Sequence, residues 1–463
     1  MKILLTTHQF LPEFTSGTEV LSFEVARELI RLGHQVRILT GWPPSESVDP
    51  PGLHDEYTYE GIRVYRIYPP AFSTTTVVER TRQEFDNPAA AAAFTTLTAS
   101  WKPDVVHFFH LQRLSASIPF RCAQQGIACL FTATDFWSIC PLHQLHLPGG
   151  ETCDGPERDS ANCVLHLATQ GRRGPLAPLY RWVPTGLVSA MLRIAPHDEH
   201  RASQNVGAAR VLQQRPETMR RMLNVIDRII APTSFMAQRL KEFGAAEKSI
   251  VELGYGIDTK SYSNPRPLMT SEKVRIGFIG TLHEHKGAHV LIDAIKLLDA
   301  SVQCSVCIYG DETFYPDYVA QIRASAQGDA RITFRGTFRR TELPRVVNEL
   351  DILVVPSTWT ENTPLVILAA QAAGRPVIGS DVAGIAEVIT DGVNGRLFEA
   401  GSAKALAALL EDVLTHPELV STMGQHAIPA KDVSRYVADL LDIYEEVLVE
   451  RAVELAASQR IPA

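Results

Sequence analysis

Short apolar runs alternate with amphipathic segments along the first third of the chain. Residues 17–32 and 117–125 place apolar side chains three and four positions apart, which predicts helices, and Gly33 ends the first of them. The apolar runs predict buried parallel strands at residues 3–6, 35–40, 104–109 and 128–132. This alternation is typical of a parallel, doubly wound α/β sheet.

The pattern changes between residues 155 and 221, where arginine, proline and glutamine are frequent. We interpret this stretch as an insertion of loops and helices within the first domain, and its clearest helical patterns are at 186–194 and 217–226. The earlier rhythm then resumes, with predicted strands at 228–232 and 249–253 and a predicted helix at 234–243.

The segment Asn264-Pro-Arg-Pro267 is the predicted linker. A second series follows it, with strands predicted at 274–280, 304–310, 331–336, 352–356 and 376–380, a helix at 288–298 and a last helix at 433–457. We therefore predict a first domain over 1–263, a second over 268–432, and a C-terminal helix over 433–463 that packs back on the first. Two such domains would face a central cleft, where doubly wound sheets bind ligands.

Size and composition favour a two-domain enzyme. At 463 residues the chain is longer than one ordinary core, and a formal net charge of -8 gives no reason to expect nucleic acid as a partner. No apolar stretch has the length of a transmembrane helix, and the N-terminal apolar run is too short for a signal peptide. The 7 cysteines, an odd number, favour reduced thiols in a cytoplasmic protein.

Glu361 lies in a polar loop between a buried apolar run and a helix expected to start near Thr363 and Pro364. A carboxylate beside free backbone N–H groups at a helix start can bind a hydroxyl-rich, anionic ligand. The N–H groups of Asn362, Thr363 and Leu365 are the candidates, since Pro364 has none. The simpler alternative is that Glu361 only caps the helix.

Gly17 and Lys286 follow the first predicted strand of each domain. Without a Cβ, Gly17 lets the backbone at a helix start approach a phosphate. Lys286 can clamp a phosphate through its ammonium group. Taken singly, each has a plainer explanation, an ordinary turn for Gly17 and a solvated charge for Lys286.

Residues 356–378 closely resemble the donor-sugar motif of the retaining glycosyltransferases of family four, in which two glutamates stand eight positions apart. Glu361 matches the first glutamate, and Ala369 occupies the position of the second. Lys286 matches the family's donor-phosphate lysine, and Thr281 stands where an arginine is frequent. The resemblance covers most of the chain up to Phe398, apart from the insertion.

The resemblance implies a GT-B fold and the transfer of a hexose, with retention of configuration, from a nucleotide-diphosphate sugar. The acceptor would be a glycan or lipid-linked molecule used in glycan, polysaccharide or glycolipid assembly. No metal or other cofactor would be required, because lysine and helix N-termini stabilise the leaving diphosphate. Gly17 and Lys286 would hold the diphosphate, and Glu361 with the backbone after it would hold the sugar.

Many relatives have a histidine at the position of Thr134. His110 is a reasonable substitute, and Asp135 would orient the acceptor or the donor. A purely structural role for His107 or His110 is an equal alternative.

The alanine at position 369 leaves other functions open. In the family the second glutamate binds the ribose, so Ala369 removes a charge-assisted contact worth about 1.5–3 kcal/mol. One possibility is a transferase of reduced activity, in which Ala369 is either a natural variant or a deliberate substitution of glutamate. Another is a catalytically impaired binding or regulatory subunit. Another nucleotide-sugar enzyme, such as an epimerase, is a further alternative; a phosphorylase would need a pyridoxal cofactor for which the sequence gives no indication.

Cysteines and histidines are concentrated around the start of the insertion. Cys163 and His166 have ligand-like spacing, and Cys140 and Cys153 would complete a four-ligand zinc site. Free thiols or a local disulfide are the alternatives.

The insertion also has apolar and aromatic residues near arginines, at 176–183 and 187–194. Such segments can contact a membrane surface, here the inner face of the membrane, or a lipid-linked acceptor. A buried helical lid is the alternative, and the acidic net charge favours it.

Overall fold

The computed structural model describes residues 1–42, 52–68, 75–147, 152–157, 159–169, 183–194, 203–268 and 273–458. The chain packs as two compact units, the first made of Met1–Leu253 and Val437–Ala463 and the second of Gly254–Tyr436. The predicted linker therefore lies within the second unit, a few residues after the division at Gly254.

The first unit contains an eight-stranded sheet in the order β3-β4-β2-β1-β5-β6-β7-β8. Its strands are β1 Lys2–Thr7, β2 Gln35–Gly41, β3 Gly52–Tyr59, β4 Ile62–Tyr68, β5 Val105–Phe108, β6 Ala128–Thr132, β7 Arg228–Ala231 and β8 Ile250–Glu252. All neighbours are parallel except the edge pair β3 and β4. The predicted doubly wound sheet is confirmed, and the hairpin of β3 and β4 is an addition that the sequence analysis missed.

Helices pack beside this sheet at α1 Gly17–Arg31, α2 Val77–Gln83, α3 Pro88–Trp101, α4 Ser117–Gln125, α5 Ala161–Thr169, α6 Thr185–Ile194, α7 Gln204–Val225 and α8 Ser234–Phe243. Side chains fix several of their starts: Asn87 caps α3, whose first residue is Pro88, and Thr233 caps α8. Helices α2 and α3 were not predicted. Helix α7 is longer than the predicted 217–226, because it continues through Pro216.

Helix α7 shows that part of the insertion belongs to the core of the first unit. Val211 and Met219 are buried in the core cluster of the first unit. Arg215, also buried, bonds Glu84 Oε2 at 2.8 Å and donates to the backbone carbonyls of Trp137 and Ile139. Helix α7 therefore fixes the loop that follows β6.

Helix α6 differs from α7 in its exposure. Leu192 is buried, whereas Leu187, Met191 and Ile194 are 53%, 59% and 85% exposed. The neighbouring segment 176–183 lies, except for Val183, outside the described residues. Contact of this region with a membrane or a lipid-linked acceptor stays a prediction.

The second unit contains a six-stranded parallel sheet in the order β11-β10-β9-β12-β13-β14. Its strands are β9 Val274–Ile279, β10 Cys304–Tyr309, β11 Ile332–Gly336, β12 Ile352–Val355, β13 Val377–Ser380 and β14 Gly395–Phe398. Its helices are α9 Ala288–Leu297, α10 Pro316–Ala326, α11 Leu343–Asn348, α12 Leu365–Ala372, α13 Ala403–Thr415 and α14 Glu418–Gln425. The order reverses direction at β9 and β12, and such a switch point is where doubly wound sheets bind ligands.

The last helix, α15 Val433–Ser458, belongs to the first unit from Val437 onward. The hydroxyl of Tyr444 lies 2.6 Å from His107 Nδ1 on β5, and Arg451 Nε donates to Asp227 Oδ1 at 2.8 Å. These bonds attach α15 to the first sheet. In the described part of the chain, no helix combines the length and the apolar character needed to cross a membrane.

Candidate donor and acceptor sites

The loops after β9 and β12 meet at the switch point of the second sheet. Lys286, in the first loop, places Nζ 2.5 Å from Glu361 Oε1 in the second. The backbone N–H of Thr358 donates to the carbonyl of His285 at 2.8 Å. The structure thus brings together the two residues that the sequence analysis assigned to the diphosphate and the sugar.

Glu361 is held by three donors on the same oxygen. Ser357 Oγ and Trp359 Nε1 each lie 2.7 Å from Oε1, in addition to Lys286 Nζ. The side chain is 7% exposed, and no donor from the described part of the chain bonds Oε2. One oxygen therefore fixes the carboxylate, and the other is available to accept a ligand hydroxyl.

Two glycines make this close approach of loops possible. Gly287 has φ +75°, and a Cβ there would lie 1.8 Å from the carbonyl oxygen of Pro356. Gly384 has φ +80°, and its Cβ would lie 2.2 Å from the carbonyl oxygen of Glu361. Neither position accommodates another residue without movement of the backbone around the Lys286–Glu361 pair.

Helix α12 starts at Leu365, four positions after Glu361. Pro364 is the N-cap and makes no side-chain cap, so the first N–H groups of the helix have no capping side chain. Asn362 is half-buried, Thr363 is 6% exposed, and Leu365 is the first helical residue. The arrangement suits an anion or a hydroxyl-rich group at the helix start.

Ala369 lies in the second turn of α12 and is 1% exposed. Its methyl group packs in an apolar cluster that includes Ile367 and Ala370. Thr281, which follows β9, is exposed. The structure therefore offers neither an acidic side chain at 369 nor a cation at 281, and Lys286 is the cation that meets Glu361.

The sequence analysis missed the aromatic groups beside Lys286. Trp359 lies with its ring centroid 4.9 Å from Lys286 Nζ and 4.6 Å from the ring of His285. His283 lies 4.2 Å from His285, centroid to centroid. Two histidines in the sequence Leu282-His-Glu-His-Lys-Gly287 were the available signal, but local spacing does not show that Trp359, 74 positions after His285, packs against that ring.

In the first unit, Gly17 is exposed and is the first residue of α1. Ser16, the N-cap, makes no side-chain hydrogen bond to the helix. Glu19, in the first turn, is fully buried, and its Oε1 lies 3.4 Å from His8 Nε2. Burial raises the pKa of Glu19 above its ordinary value.

His110 and Asp135 lie together at the ends of β5 and β6. His110 Nε2 lies 2.8 Å from Asp135 Oδ2, and the backbone N–H of Gln112 donates to His110 Nδ1 at 3.0 Å. Nδ1 must then be unprotonated, so Nε2 has the hydrogen and donates to Asp135. With both nitrogens engaged and 2% of the residue exposed, His110 orients Asp135 rather than offering a free nitrogen.

His143 completes this group, with Nδ1 3.8 Å from Asp135 Oδ2. Histidine, cysteine, aspartate and glutamate side chains can bind a metal ion. Among the described residues, His110, Asp135 and His143 form the only set of three or more such side chains whose donor atoms all lie within 4.8 Å of one another. A metal at this set would require a lone pair on His110 Nε2, and the Gln112 N–H excludes that tautomer. The group is better suited to hydrogen bonding.

Burial and the neighbouring side chains together set the pKa values of this group. Burial works to raise the pKa of Asp135, but His110 and His143 outweigh burial and the pKa is lowered overall. Burial lowers the pKa of His143 and, more strongly, that of His8, whose ring is 4.3 Å from that of His110. Near neutral pH the Asp135 carboxylate is thus ionised, and burial favours the neutral rings of His8 and His143.

His107 has a different environment from His110. It is fully buried, with Nε2 2.7 Å from Thr132 Oγ1 and Nδ1 bonded to Tyr444. Thr134, at the position where relatives have a histidine, donates its hydroxyl to the carbonyl of Phe109 at 2.9 Å. His107 therefore has the structural role that the sequence analysis left open for both histidines.

Family models match both halves of the chain. A model described as Glycosyl transferases group 1 matches residues 273–416, and one described as Glycosyl transferase 4-like domain matches residues 16–184. Two doubly wound sheets with this lysine–glutamate site define a protein of the glycosyltransferase class. The chain belongs to the group 1 glycosyltransferases, family four.

Solved structures show the same fold at low sequence identity. Sucrose-phosphate synthase from Thermosynechococcus elongatus matches 97% of this chain and 99% of its own, with a TM-score of 0.65 and 16% identity. Anabaena HepE in complex with UDP and glucose matches 96% of this chain and 99% of its own, with a TM-score of 0.63 and 16% identity. These likenesses establish the GT-B fold.

Curated relatives match part of the chain. The amylovoran biosynthesis glycosyltransferase AmsK of Erwinia amylovora is 31% identical over 39% of this chain and 46% of its own. A D-inositol 3-phosphate glycosyltransferase of Corynebacterium aurimucosum is 28% identical over 50% of this chain and 60% of its own. The chain spans less than two thirds of the length of either relative.

Proposed function

We propose that the chain is a retaining glycosyltransferase that moves a hexose from a nucleotide-diphosphate sugar to an acceptor in glycan or polysaccharide assembly. The observation that best supports this proposal is the contact of Lys286 with Glu361 near the start of α12. A cation for the diphosphate and a carboxylate for the sugar hydroxyls are thereby side by side. No metal is needed in this proposal, because Lys286 and the helix N–H groups face the leaving charge.

Family membership and the partial relatives support this function. HepE was solved with UDP and glucose, and AmsK is named for amylovoran biosynthesis. UDP-glucose is therefore the first donor to test, and extracellular polysaccharide precursors are the first acceptors. Asp135 is the group proposed to orient the acceptor, since it is 28% exposed and held ionised by His110.

The donor half is tested by a thermal-shift screen with UDP-, GDP- and ADP-sugars in the presence of EDTA. We expect one nucleotide class to stabilise the protein, and its sugar conjugate to bind more tightly than the bare nucleotide. Glu361→Gln should keep the nucleotide affinity and lose the gain from the sugar. Glu411→Gln, an exposed glutamate on α13, is the control and should behave as the wild type.

Catalysis is tested by release of the nucleotide, first with water and then with candidate acceptors. Proton NMR of the product, before mutarotation, should show the same anomer as the donor. The proposal fails if no nucleotide sugar shifts the unfolding temperature of the wild type or of Ala369→Glu. An inverted product would contradict retention alone.

Ala369 favours one second candidate, an impaired binding or regulatory subunit. This alternative predicts binding of a nucleotide sugar without nucleotide release under any acceptor condition. Turnover in Ala369→Glu but not in the wild type would support it. Turnover in the wild type would reject it.

A further inference from the structure

Three cysteines and one histidine, from two loops and helix α5, line one small pocket in the first unit. They are Cys140, Cys153, Cys163 and His166. Cys140 and Cys163 are buried and Cys153 is half-buried, and all three are free thiols. Because the pocket lies after β6 and beside α5, it is separate from the Lys286 and Glu361 site, which belongs to the other unit.

Helix α5 and backbone hydrogen bonds fix the positions of these four residues in the chain fold. Cys163 and His166 are three positions apart on α5, so they lie on the same face of that helix. The N–H of Cys140 donates to the carbonyl of Phe136 at 2.7 Å, which closes a turn. The N–H of Cys153 donates to the carbonyl of Leu145 at 2.8 Å.

Asn162 fastens the Cys153 loop to the start of α5. Its Nδ2 donates to the carbonyl of Gly155 at 2.8 Å, and its Oδ1 accepts from the N–H of Glu157 at 3.0 Å. Gly155 has φ +101°, which suits glycine at this bend. The loop is therefore held against the helix that presents Cys163 and His166.

The chemistry of the set matches a structural zinc site. Three thiolates and one imidazole are a ligand combination that binds Zn²⁺ with tetrahedral geometry. A disulfide would use two of the sulfurs and leave the third thiol and the imidazole in the same pocket without an explanation. We propose that Cys140, Cys153, Cys163 and His166 bind one structural Zn²⁺.

Binding requires the sulfurs to move closer together. Their donor atoms do not form a set within 4.8 Å, which among the described residues only His110, Asp135 and His143 do. Zn–S bonds of about 2.3 Å in a tetrahedral site place sulfurs roughly 3.8 Å apart. The proposal therefore requires rotation of the cysteine side chains and movement of the Cys153 loop to bring the four donor atoms together.

Zinc at this pocket would stabilise the loop that also holds the Asp135 group. The N–H of His143 donates to the carbonyl of Cys140 at 3.0 Å, and the N–H of Phe136 donates to the carbonyl of His143 at 3.3 Å. Cys140 and His143 thus share one short loop that begins next to Asp135. The ion would fix this loop without contacting the reacting atoms.

The test is metal analysis of the full chain purified without chelators from zinc-supplemented cells. We expect about one zinc per chain, and Cys163→Ser and Cys140→Ser should each reduce zinc content several-fold. His166→Cys, which keeps a four-ligand set, should retain the metal. Cys307→Ser, on β10 in the other unit, is the matched control and should retain it as well.

A second measurement avoids dependence on the folding of the serine variants. Cobalt substitution of the wild-type protein should give the intense visible bands of a tetrahedral thiolate site, and zinc addition should abolish them. Folded, reduced wild type that contains no zinc and gives no such bands would overturn the proposal. Wild type in which two of these cysteines form a disulfide would overturn it too.

Discussion

Lys286 Nζ lies 2.5 Å from Glu361 Oε1, although the two residues are 75 positions apart in the sequence. Lys286 keeps a quarter of its side chain exposed and Glu361 only 7%. An anionic ligand can therefore approach the lysine from solvent while the carboxylate stays fixed by Ser357 and Trp359. If the proposed function is correct, the pair sets the distance between the phosphate and the sugar positions before any ligand arrives.

Removal of the lysine charge should weaken donor binding. In Lys286→Met we expect the affinity for the nucleotide diphosphate to fall about 10- to 100-fold, because a bond to a charged group is worth roughly 1.5–3 kcal/mol. Isothermal titration calorimetry with the nucleotide found in the screen measures this. Lys404→Met removes an exposed lysine on α13 and should leave the affinity unchanged. Equal affinities in both variants would refute the assignment of Lys286.

A carboxylate at position 369 should strengthen donor binding. In Ala369→Glu we expect about a tenfold or greater gain in affinity for the nucleoside part, from one charge-assisted bond of about 1.5–3 kcal/mol. Calorimetry with the nucleoside diphosphate is the measurement. Ala369→Leu adds comparable bulk without charge at this buried position, so it should give no gain. The same loss of affinity in both variants would mean that bulk alone decides at 369.

The glycine before α9 should be needed for the shape of the donor site. Gly287→Ala places a Cβ 1.8 Å from the carbonyl oxygen of Pro356, so the two loops must separate. Gly328→Ala is the matched control, because Gly328 has φ +89° but open space around its Cβ position. We expect the control to lose about 1–2 kcal/mol of stability from backbone strain alone. Gly287→Ala should lose more, and it alone should lose donor affinity, as measured by urea unfolding and calorimetry.

Acid should destabilise the first unit through His107. Burial lowers the pKa of His107 to about 3, against about 6.5 in the unfolded chain. Between these values the unfolded state binds a proton that the folded state does not, so the free energy of unfolding decreases as the pH falls below about 6.5. From pH 7 to pH 5 this single group contributes a loss of about 2 kcal/mol.

The measurement for His107 is urea unfolding at pH 7 and pH 5. His107→Gln should be less stable than the wild type at pH 7, since its bonds to Tyr444 and Thr132 change, but it should lose about 2 kcal/mol less on acidification. His426→Gln, an exposed histidine, should retain the wild-type pH dependence. An unchanged dependence in His107→Gln would show that folding does not lower the pKa of His107.

Most strands and helices of both sheets could be predicted from local sequence, because burial imposes a period of two or 3.6 on each. The predicted helix at 234–243 and strand at 128–132 match α8 and β6 to the residue. Helix α3 was missed because its run of alanines, at 89–93, gives little contrast between faces. The edge hairpin of β3 and β4 was missed because neither strand is a continuous apolar run: residues 55–59 of β3 are half-buried or exposed, and charged Arg63 and Arg66 interrupt β4.

The candidate sites could be predicted only in part. Motif and loop position singled out Lys286, Glu361, His110 and Asp135, and the structure brings them together in two pairs. Their roles in binding stay predictions. The tautomer of His110 depends on the backbone N–H of Gln112. The buried group around His110 also includes His8, Glu19 and His143, from other loops and from the start of α1. No local spacing indicates which loops converge.

The sequence by itself determined the alternation of strands and helices, the class of protein, and the residue types available for a donor site. Those features depend on interactions among neighbours in the chain, or on a motif within one loop. The tertiary structure decided that Lys286 donates to Glu361 and that His107 is clamped by Tyr444. These contacts join residues far apart in sequence, so they exist only once strand order and register have placed the loops side by side.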